Sequence, residues 1–355
     1  MVSTDRKIFE EGSDVRTRQI EYAKDWDEVH IVVFDKRSME YGVRSKEIAI
    51  AANCWAYSTK SRFKFLYPFD AMRLGRFIME KRGITDITCQ DASLTAMAAV
   101  SLKKRFNGKT SNAVALEIQV HEDIGSPNYS FNWTNKVRRF LALNYLPKAD
   151  RIRVVSERIK RYLVGTLGIA ESKVIVRPIA VDIEAIKNAP IIAGGDLHKK
   201  YSQFDRIVLM AGRLEPEKNV KLAIEAWKSV IEKQPKAGLI IVGSGSQLPM
   251  LNYQCSRSGI SGNVIFESWA DRATLYSYYK TADLFLNTSL FEGYGMTLVE
   301  ANAARCKIVS TDVGVVGDVL KVGDILKDGE NGVSIVDWNA RSVADGISRA
   351  LITRP

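Results

Sequence analysis

Two glutamates, Glu292 and Glu300, stand eight positions apart and flank a glycine-rich turn that leads into a helix-forming run. The apolar residues 284–286 come before them, so the predicted order is strand, loop and helix N-terminus. Free backbone N–H groups at such a helix start favour an anion. Carboxylates instead accept hydrogen bonds from hydroxyl groups. The pattern predicts a ligand with a phosphate centre and hydroxylated rings on both sides, such as a nucleotide sugar, although glycines in a loop can also serve backbone geometry alone.

Two cations, Arg213 and Lys218, follow the predicted strand 207–210 and bracket the segment 214–217. If a nucleoside diphosphate leaves during a reaction, two fixed cations can neutralise its developing charge without a metal ion. The alternative is that one or both are ordinary surface residues.

Two weaker signals lie at other predicted strand ends. Gly243 and Gly245 form a Gly-x-Gly turn without the third glycine of a dinucleotide fingerprint, so they indicate either a tight turn or a close approach of a nucleoside. His121 ends a strand in a polar cluster, where it could hydrogen-bond a sugar hydroxyl or support proton transfer. A purely structural histidine is the alternative.

Asp25 and Asp27 form an Asp-x-Asp pattern that can hold a divalent metal. They precede a strand, however, and ligands bind at the opposite, carboxyl ends of parallel strands. We therefore interpret them as a solvated loop. We expect no metal and no cofactor besides a nucleotide-diphosphate sugar as co-substrate.

Strand and helix patterns alternate along the chain, which is typical of α/β folds with parallel sheets covered on both faces. We predict two doubly wound domains, residues 1–183 and 206–355, joined by a linker at residues 184–205. In the second half the predicted strands are 207–210, 239–242, 264–266, 284–286 and 308–310. The candidate residues follow four of these strands, so they should converge on one crevice.

Charge is unevenly distributed along the 355 residues. Residues 1–180 contain 31 Lys and Arg against 21 Asp and Glu, whereas residues 181–355 contain 20 of each. A basic N-terminal domain with interleaved aromatic residues, as in 62–67, suits an anionic substrate or an anionic membrane surface, or is merely a solvated surface. No nucleic-acid-binding signature is present. Four scattered cysteines and the lack of a signal-peptide or membrane-spanning pattern predict a cytoplasmic protein, peripheral at most on the inner face of the membrane.

These motifs, with residues 178–182 and 310–314, resemble those of family 4 retaining glycosyltransferases of the GT-B architecture, in which two Rossmann-like domains face a central cleft. The resemblance covers nearly the whole chain and is most specific from Pro178 to Trp338. It implies a hexosyltransferase that works without metal and keeps the anomeric configuration. It also implies a UDP-, GDP- or ADP-linked sugar donor and an acceptor hydroxyl on a glycan or lipid, whose proton passes to a donor phosphate oxygen.

The resemblance also assigns roles to residues. Arg213 and Lys218 would hold the diphosphate, Glu292 the donor sugar and Glu300 the ribose, with His121 near the primary hydroxyl of the sugar. The remaining donor-binding residues would be Gly12, Gly212, Gly243, Trp269, Gly293, Tyr294, Gly295, Met296 and Thr297.

The chain departs from the family at several positions. Arg305 stands where a helix-ending glycine is expected, Lys307 replaces a usual proline, and Ser268 replaces a common glycine. The first strand of the family is central, yet little strand-like sequence precedes Gly12. An epimerase or phosphorylase of the same fold, or a non-catalytic sugar-nucleotide-binding protein at a membrane, are the alternative functions.

Overall fold

The computed structural model describes residues 1–36, 47–107, 113–320 and 333–352. The chain divides into two compact α/β units. The first comprises residues 1–155 and 159–177, and the second comprises residues 156–158 and 178–355. Each is built around a mostly or wholly parallel sheet.

The sheet of the first unit has eight strands among the described residues, paired in the order β3-β4-β2-β1-β5-β6-β7-β8. Within it, β3 runs antiparallel to β4 and the remaining pairs are parallel. The strands are β1 (Val2–Ser3), β2 (Val29–Val33), β3 (Glu47–Ala51), β4 (Cys54–Ser58), β5 (Asp86–Cys89), β6 (Ala115–Val120), β7 (Arg151–Val154) and β8 (Val174–Val176). The helices in this stretch of the chain are α1 (Asp14–Ala23), α2 (Tyr67–Arg82), α3 (Leu94–Phe106), α4 (Trp133–Tyr145) and α5 (Glu157–Arg161).

Strand β1 supplies the central first strand that the sparse apolar sequence before Gly12 did not indicate. Val2 pairs with Val32 on β2 and with Cys89 on β5, and Ser3 extends the pairing to β2. Two residues are too few to produce a detectable alternation of apolar and polar side chains. Gly12 therefore lies in the loop that follows a central strand.

The sheet of the second unit has six described strands, all parallel, in the order β11-β10-β9-β12-β13-β14. The strands are β9 (Arg206–Ala211), β10 (Ala237–Val242), β11 (Val264–Glu267), β12 (Leu284–Asn287), β13 (Ile308–Thr311) and β14 (Val333–Val336). The helices are α6 (Ile183–Asn188), α7 (Leu197–Lys200), α8 (Val220–Lys233), α9 (Leu248–Arg257), α10 (Arg272–Thr281), α11 (Met296–Ala303) and α12 (Ala340–Ile352). The five strands predicted for this half are confirmed, and β14 is an addition.

Burial explains why this unit follows its sequence pattern so closely. Every residue of β10 is buried, and α8 turns the fully buried Trp227 and its apolar stripe towards the sheet. A parallel sheet with helices on its faces requires strands that are apolar on both sides. Uninterrupted apolar runs are the readiest signal to detect in a sequence.

The segment predicted to link the domains, residues 184–205, packs against the second unit. Ile192 N donates to Ser277 Oγ on α10 at 3.1 Å. On α7, Lys200 Nζ lies 2.8 Å from Glu267 Oε1 and 2.6 Å from Tyr278 Oη. These contacts attach α7 and the segment before it to α10 and to the end of β11.

Across the described ranges, no helix combines the length and the apolar character needed to cross a bilayer.

Candidate functional site

The strand order of the second sheet brings three loops to one edge. Strand β9 lies between β10 and β12, so the loops that follow these parallel strands are neighbours at their carboxyl ends. Hydrogen bonds from the loop after β12 to backbone carbonyls of the loop after β9 join these two loops. Thr288 Oγ1 donates to Asn219 O at 3.0 Å, and Leu290 N donates to Glu217 O at 2.8 Å.

This junction brings Lys218 and Glu292 into direct contact. Lys218 Nζ lies 2.5 Å from Glu292 Oε1, and the two side chains are only 22% and 13% exposed. Ser289 Oγ lies 2.7 Å from the same carboxylate oxygen. A cation predicted to hold a diphosphate and a carboxylate predicted to hold a sugar thus meet at one point.

Ser289 is a site residue that sequence reasoning missed. It is fully buried, and its hydroxyl also lies 2.8 Å from Asn287 Oδ1, so its single proton serves one acceptor at a time. Its carbonyl accepts from Thr311 Oγ1 at 2.7 Å and from Trp338 Nε1 at 2.9 Å. The available signal was the polar run 287–289 directly after an apolar strand.

Arg213 is placed differently from Lys218. Its guanidinium lies 3.0 Å from Glu217 Oε1 in the same loop, and its side chain is 70% exposed. The structure therefore unites Lys218 with Glu292 and leaves Arg213 at the surface in an ion pair of its own.

The predicted Gly-x-Gly turn is a point of close backbone approach between the loops after β9 and β10. Gly243 has φ +143°, and a Cβ there would lie 1.9 Å from Gly212 O. A Cβ on Gly245 would lie 2.4 Å from Leu214 O. Glycine is required at these positions because any side chain would clash with the neighbouring loop. This packing accounts for the two glycines as a tight turn, the first of the two interpretations of the motif.

The stretch from Gly293 to Thr297 forms the turn and the start of α11. Gly295 caps the helix with φ +90°, a conformation that favours glycine. Met296 and Thr297 are the first helical residues, so their N–H groups have no acceptor within the helix. The loop that contains Gly314 contacts this turn, because the next residue, Val315, donates its N–H to Tyr294 O at 3.0 Å.

Glu300 lies one turn further along α11. Its carboxylate accepts a hydrogen bond from the fully buried Tyr279 Oη at 3.0 Å. Burial raises the pKa of Glu300 above its ordinary value of 4.5, against the opposing effects of the Tyr279 hydrogen bond and the charge of Arg272. Trp269, predicted on the donor side, is exposed in the loop after β11.

His121 and Gly12 belong to the first unit, each in a loop after a strand of its sheet. His121 Nε2 lies 3.1 Å from Gln119 Oε1 and donates to it. Although the residue is exposed at the surface, desolvation of its ring and the charges of Arg153 and Arg18 lower the pKa of His121. Its imidazole is therefore neutral at neutral pH.

Gly12 precedes Ser13, whose side chain caps α1, and has φ +75°. Asp25 and Asp27 precede β2, as their interpretation as a loop required. In the ranges that the structure describes, no three His, Cys, Asp or Glu side chains are grouped so as to hold a metal ion.

A cavity of about 280 Å³ lies elsewhere in the second unit, between α6 and α11. It is lined by Ile183, Lys187, Val299, Asn302, Ala303, Arg305, Val319 and Leu320. None of the predicted site residues contributes to this lining, so the cavity does not identify the functional site.

Residues 198–355 match the model of a protein family described as glycosyl transferases group 1. An uncharacterised glycosyltransferase of Methanocaldococcus jannaschii is 31% identical over 147 residues, which are 41% of this chain and 36% of that protein. The phosphatidyl-myo-inositol mannosyltransferase of Mycolicibacterium smegmatis is 29% identical over 202 residues, 56% of this chain and 46% of that protein. The alpha-monoglucosyldiacylglycerol synthase of Streptococcus pneumoniae is 25% identical over 177 residues, 48% of this chain and 40% of that protein. These matches span less than half the length of each of the three relatives.

Solved structures resemble nearly the whole chain in fold. Sucrose-phosphate synthase from Thermosynechococcus elongatus aligns with a TM-score of 0.73 at 17% identity, covering 99% of this chain and 89% of that one. Anabaena HepE in complex with UDP and glucose aligns with a TM-score of 0.66 at 16% identity, covering 98% and 88%. The predicted GT-B fold, with two α/β domains built on parallel sheets, is thereby confirmed.

Proposed function

We propose that this chain, whose residues 198–355 match the model of the glycosyl transferases group 1 family, is a retaining, metal-independent hexosyltransferase. It transfers a sugar from a nucleotide-diphosphate sugar to a hydroxyl group of a lipid or lipid-linked glycan at an anionic membrane surface. The donor binds at the carboxyl edge of the second sheet.

The observation that carries this proposal is the contact of Lys218 with Glu292 beside the start of α11. A diphosphate needs cations and free N–H groups, which Lys218 and residues 296–297 supply. The hydroxyl groups on either side of it need acceptors, which Glu292 and Glu300 supply. Arg213, exposed at the same edge, reaches the diphosphate from the solvent side.

In the proposed reaction the bond between the anomeric carbon and the phosphate oxygen breaks. The acceptor oxygen bonds to that carbon on the same face, and the acceptor's proton passes to the departing phosphate oxygen. Lys218, Arg213 and the helix start stabilise the negative charge that develops on the leaving diphosphate. No side-chain nucleophile takes part.

The acceptor assignment is supported by the surface of the first unit. On α4, Trp133 and Phe140 are 78% and 65% exposed, and Val137 is exposed between them at helical spacing. Lys136 lies beside this stripe on the same helix, whereas Arg138 lies further round it in an ion pair with Glu122. An apolar stripe with a flanking basic side chain suits an interface with anionic lipid. Two of the similar proteins are named for phosphatidyl-myo-inositol and monoglucosyldiacylglycerol, both lipids.

The proposal is tested with a thermal-shift panel of UDP-, GDP- and ADP-linked sugars, recorded with and without EDTA. We expect one nucleotide class to raise the melting temperature equally under both conditions. A shift that needs added divalent metal would overturn metal independence. Donor turnover without any acceptor would instead favour epimerisation, and strict dependence on inorganic phosphate would favour phosphorolysis.

A further inference from the structure

The contact between Lys218 and Glu292 opposes the binding of a diphosphate at the proposed donor site. The carboxylate of Glu292, 2.5 Å away, compensates the positive charge of Lys218, and this ion pair is mostly shielded from water. A diphosphate can use the charge of Lys218 only if that contact is broken or shared. Ser289, 2.7 Å from the same carboxylate oxygen, holds Glu292 where it stands.

The neighbouring ion pair differs from this one in its exposure. Arg213 and Glu217 are in contact at 3.0 Å; the glutamate is 21% exposed, but the arginine is 70% exposed. Water and salt screen such a pair, so a phosphate displaces Glu217 from Arg213 at little cost. The two cations of the site are therefore unequal, and Lys218 is the one whose availability depends on a carboxylate.

We propose that Glu292 competes with the donor's diphosphate for Lys218, so that the site disfavours a nucleoside diphosphate and favours the intact nucleotide sugar. This inference rests on the proposed function. A nucleoside diphosphate that captures Lys218 leaves Glu292 charged, shielded and without a cation. The sugar of the intact donor supplies hydroxyl groups that donate to Glu292 in place of the lysine. Glu292 thereby promotes release of the diphosphate product once the sugar has been transferred.

The experiment is isothermal titration with UDP, GDP and ADP against the wild-type protein and Glu292→Gln. Glutamine keeps the shape and an acceptor oxygen for Ser289 but removes the negative charge. We expect the nucleotide that binds the wild-type protein to bind E292Q about three- to tenfold more tightly, the range for release of a partly shielded ion pair. The matched control is Glu225→Gln, which removes one negative charge from an exposed pair with Lys221 on α8 and should leave the affinity unchanged.

A double mutant separates competition from simple repulsion between a carboxylate and a phosphate. Lys218→Gln removes the cation for which Glu292 and the diphosphate compete. The double variant K218Q/E292Q should therefore bind the nucleotide no more tightly than K218Q alone. Melting curves for each variant establish that the protein is folded at the titration temperature.

The outcomes distinguish the inference from the function on which it rests. Nucleotide affinity that is unchanged or weaker in E292Q, or an equal gain in the K218Q background, would overturn the competition while leaving the donor site in place. Failure of UDP, GDP and ADP to bind both the wild-type protein and E292Q would overturn the proposed function and the competition together.

Discussion

Lys218 is the side chain on which the proposed donor site depends most, because it combines an ion-paired position with low exposure. Replacing it by glutamine removes a positive charge that, in the proposed reaction, stabilises the leaving diphosphate. We expect Lys218→Gln to lower kcat/KM on the order of 10²-fold in a sugar-transfer assay, with a smaller loss for the exposed Arg213→Gln. Lys221→Gln, an exposed lysine on α8, is the control. Wild-type rates in both site variants would reject the diphosphate role.

Glu300 offers a pH-dependent test, since burial raises the pKa of its carboxyl. Below its ordinary value of 4.5 the carboxyl is protonated in the folded and the unfolded chain alike. As the pH rises through the raised pKa, the folded chain must hold a buried charge, and the corresponding stability is lost. The Glu300→Gln variant does not lose this stability, because glutamine does not ionise.

We therefore expect the melting temperature of E300Q to match that of the wild-type protein near about pH 4 and to exceed it at about pH 7. The measurement is a series of melting curves across this range, with Glu225→Gln as the exposed control. A difference that is constant with pH, or reversed at neutral pH, would contradict the buried carboxylate.

At the scale of elements, the loop that contains Gly314 positions the turn before α11. A Cβ on Gly314 would lie 2.3 Å from Tyr294 O and 3.1 Å from Glu292 Cβ, with φ +58°. Gly259 has a similar φ of +69° but open space around it. Gly259→Ala should lose about 1 kcal/mol of unfolding free energy from backbone strain alone. Gly314→Ala should lose more, because its Cβ would also overlap the carbonyl oxygen of Tyr294.

Only the Gly314 variant also displaces the turn, so only it should lose turnover, by at least about tenfold. Chemical denaturation and a transfer assay on both variants make the comparison. Equal activity in the two would show that Gly314 does not position Glu292 and Tyr294.

Helix α11 ends at a position where the sequence departs from the resembled family. Arg305 has φ +61°, the left-handed conformation in which glycine usually ends a helix. Arg305→Gly should raise the unfolding free energy by about 0.5–1 kcal/mol, because it relieves that strain. Arg305→Lys keeps the strain and serves as the control. A destabilised R305G, measured by denaturant titration, would mean that the arginine side chain compensates for its backbone.

The elements that sequence reasoning predicted are those with long apolar runs. Strands β9, β10, β12 and β13 are buried on both faces along most or all of their length, so their pattern does not depend on distant partners. The hairpin of β3 and β4 was missed because its apolar run, residues 48–57, is interrupted by a turn at Asn53. Strand β1 was missed because two residues are too few to show the alternation of apolar and polar side chains that indicates a strand.

The sequence indicated candidate site residues, which remain a prediction, but not the contacts that the structure shows between them. The eight-position spacing of the glutamates and the two cations located the site residues at strand ends. Nothing in the spacing pairs Lys218 with Glu292 across 74 positions, since that depends on β9 lying beside β12. For the same reason Ser289, which adds a hydrogen bond to this pair, was not foreseen.

For the whole molecule, the basic excess of the first 180 residues and the exposed aromatic stripe of α4 predict attachment to anionic bilayers. In a vesicle sedimentation assay, the protein should bind vesicles with phosphatidylglycerol and release them as salt rises. The double variant W133S/F140S should lose affinity by at least about tenfold, because it removes the two most exposed apolar rings of the stripe.

Tyr253→Ser is the matched control, since Tyr253 is an equally exposed aromatic residue on α9 of the second unit. Equal binding of the double variant and the control, or equal binding to pure phosphatidylcholine, would contradict lipid attachment through α4.

The central claim is that this chain moves a sugar from a nucleotide diphosphate to an acceptor with retained configuration. The most direct measurement is proton NMR of the reaction with an α-configured nucleotide sugar and diacylglycerol or phosphatidylinositol acceptors, in the presence of EDTA. The account predicts release of the nucleoside diphosphate together with an α-linked product, recognised by the larger one-bond carbon–hydrogen coupling at its anomeric position. A β-linked product, or no product from any UDP-, GDP- or ADP-linked sugar, would contradict it.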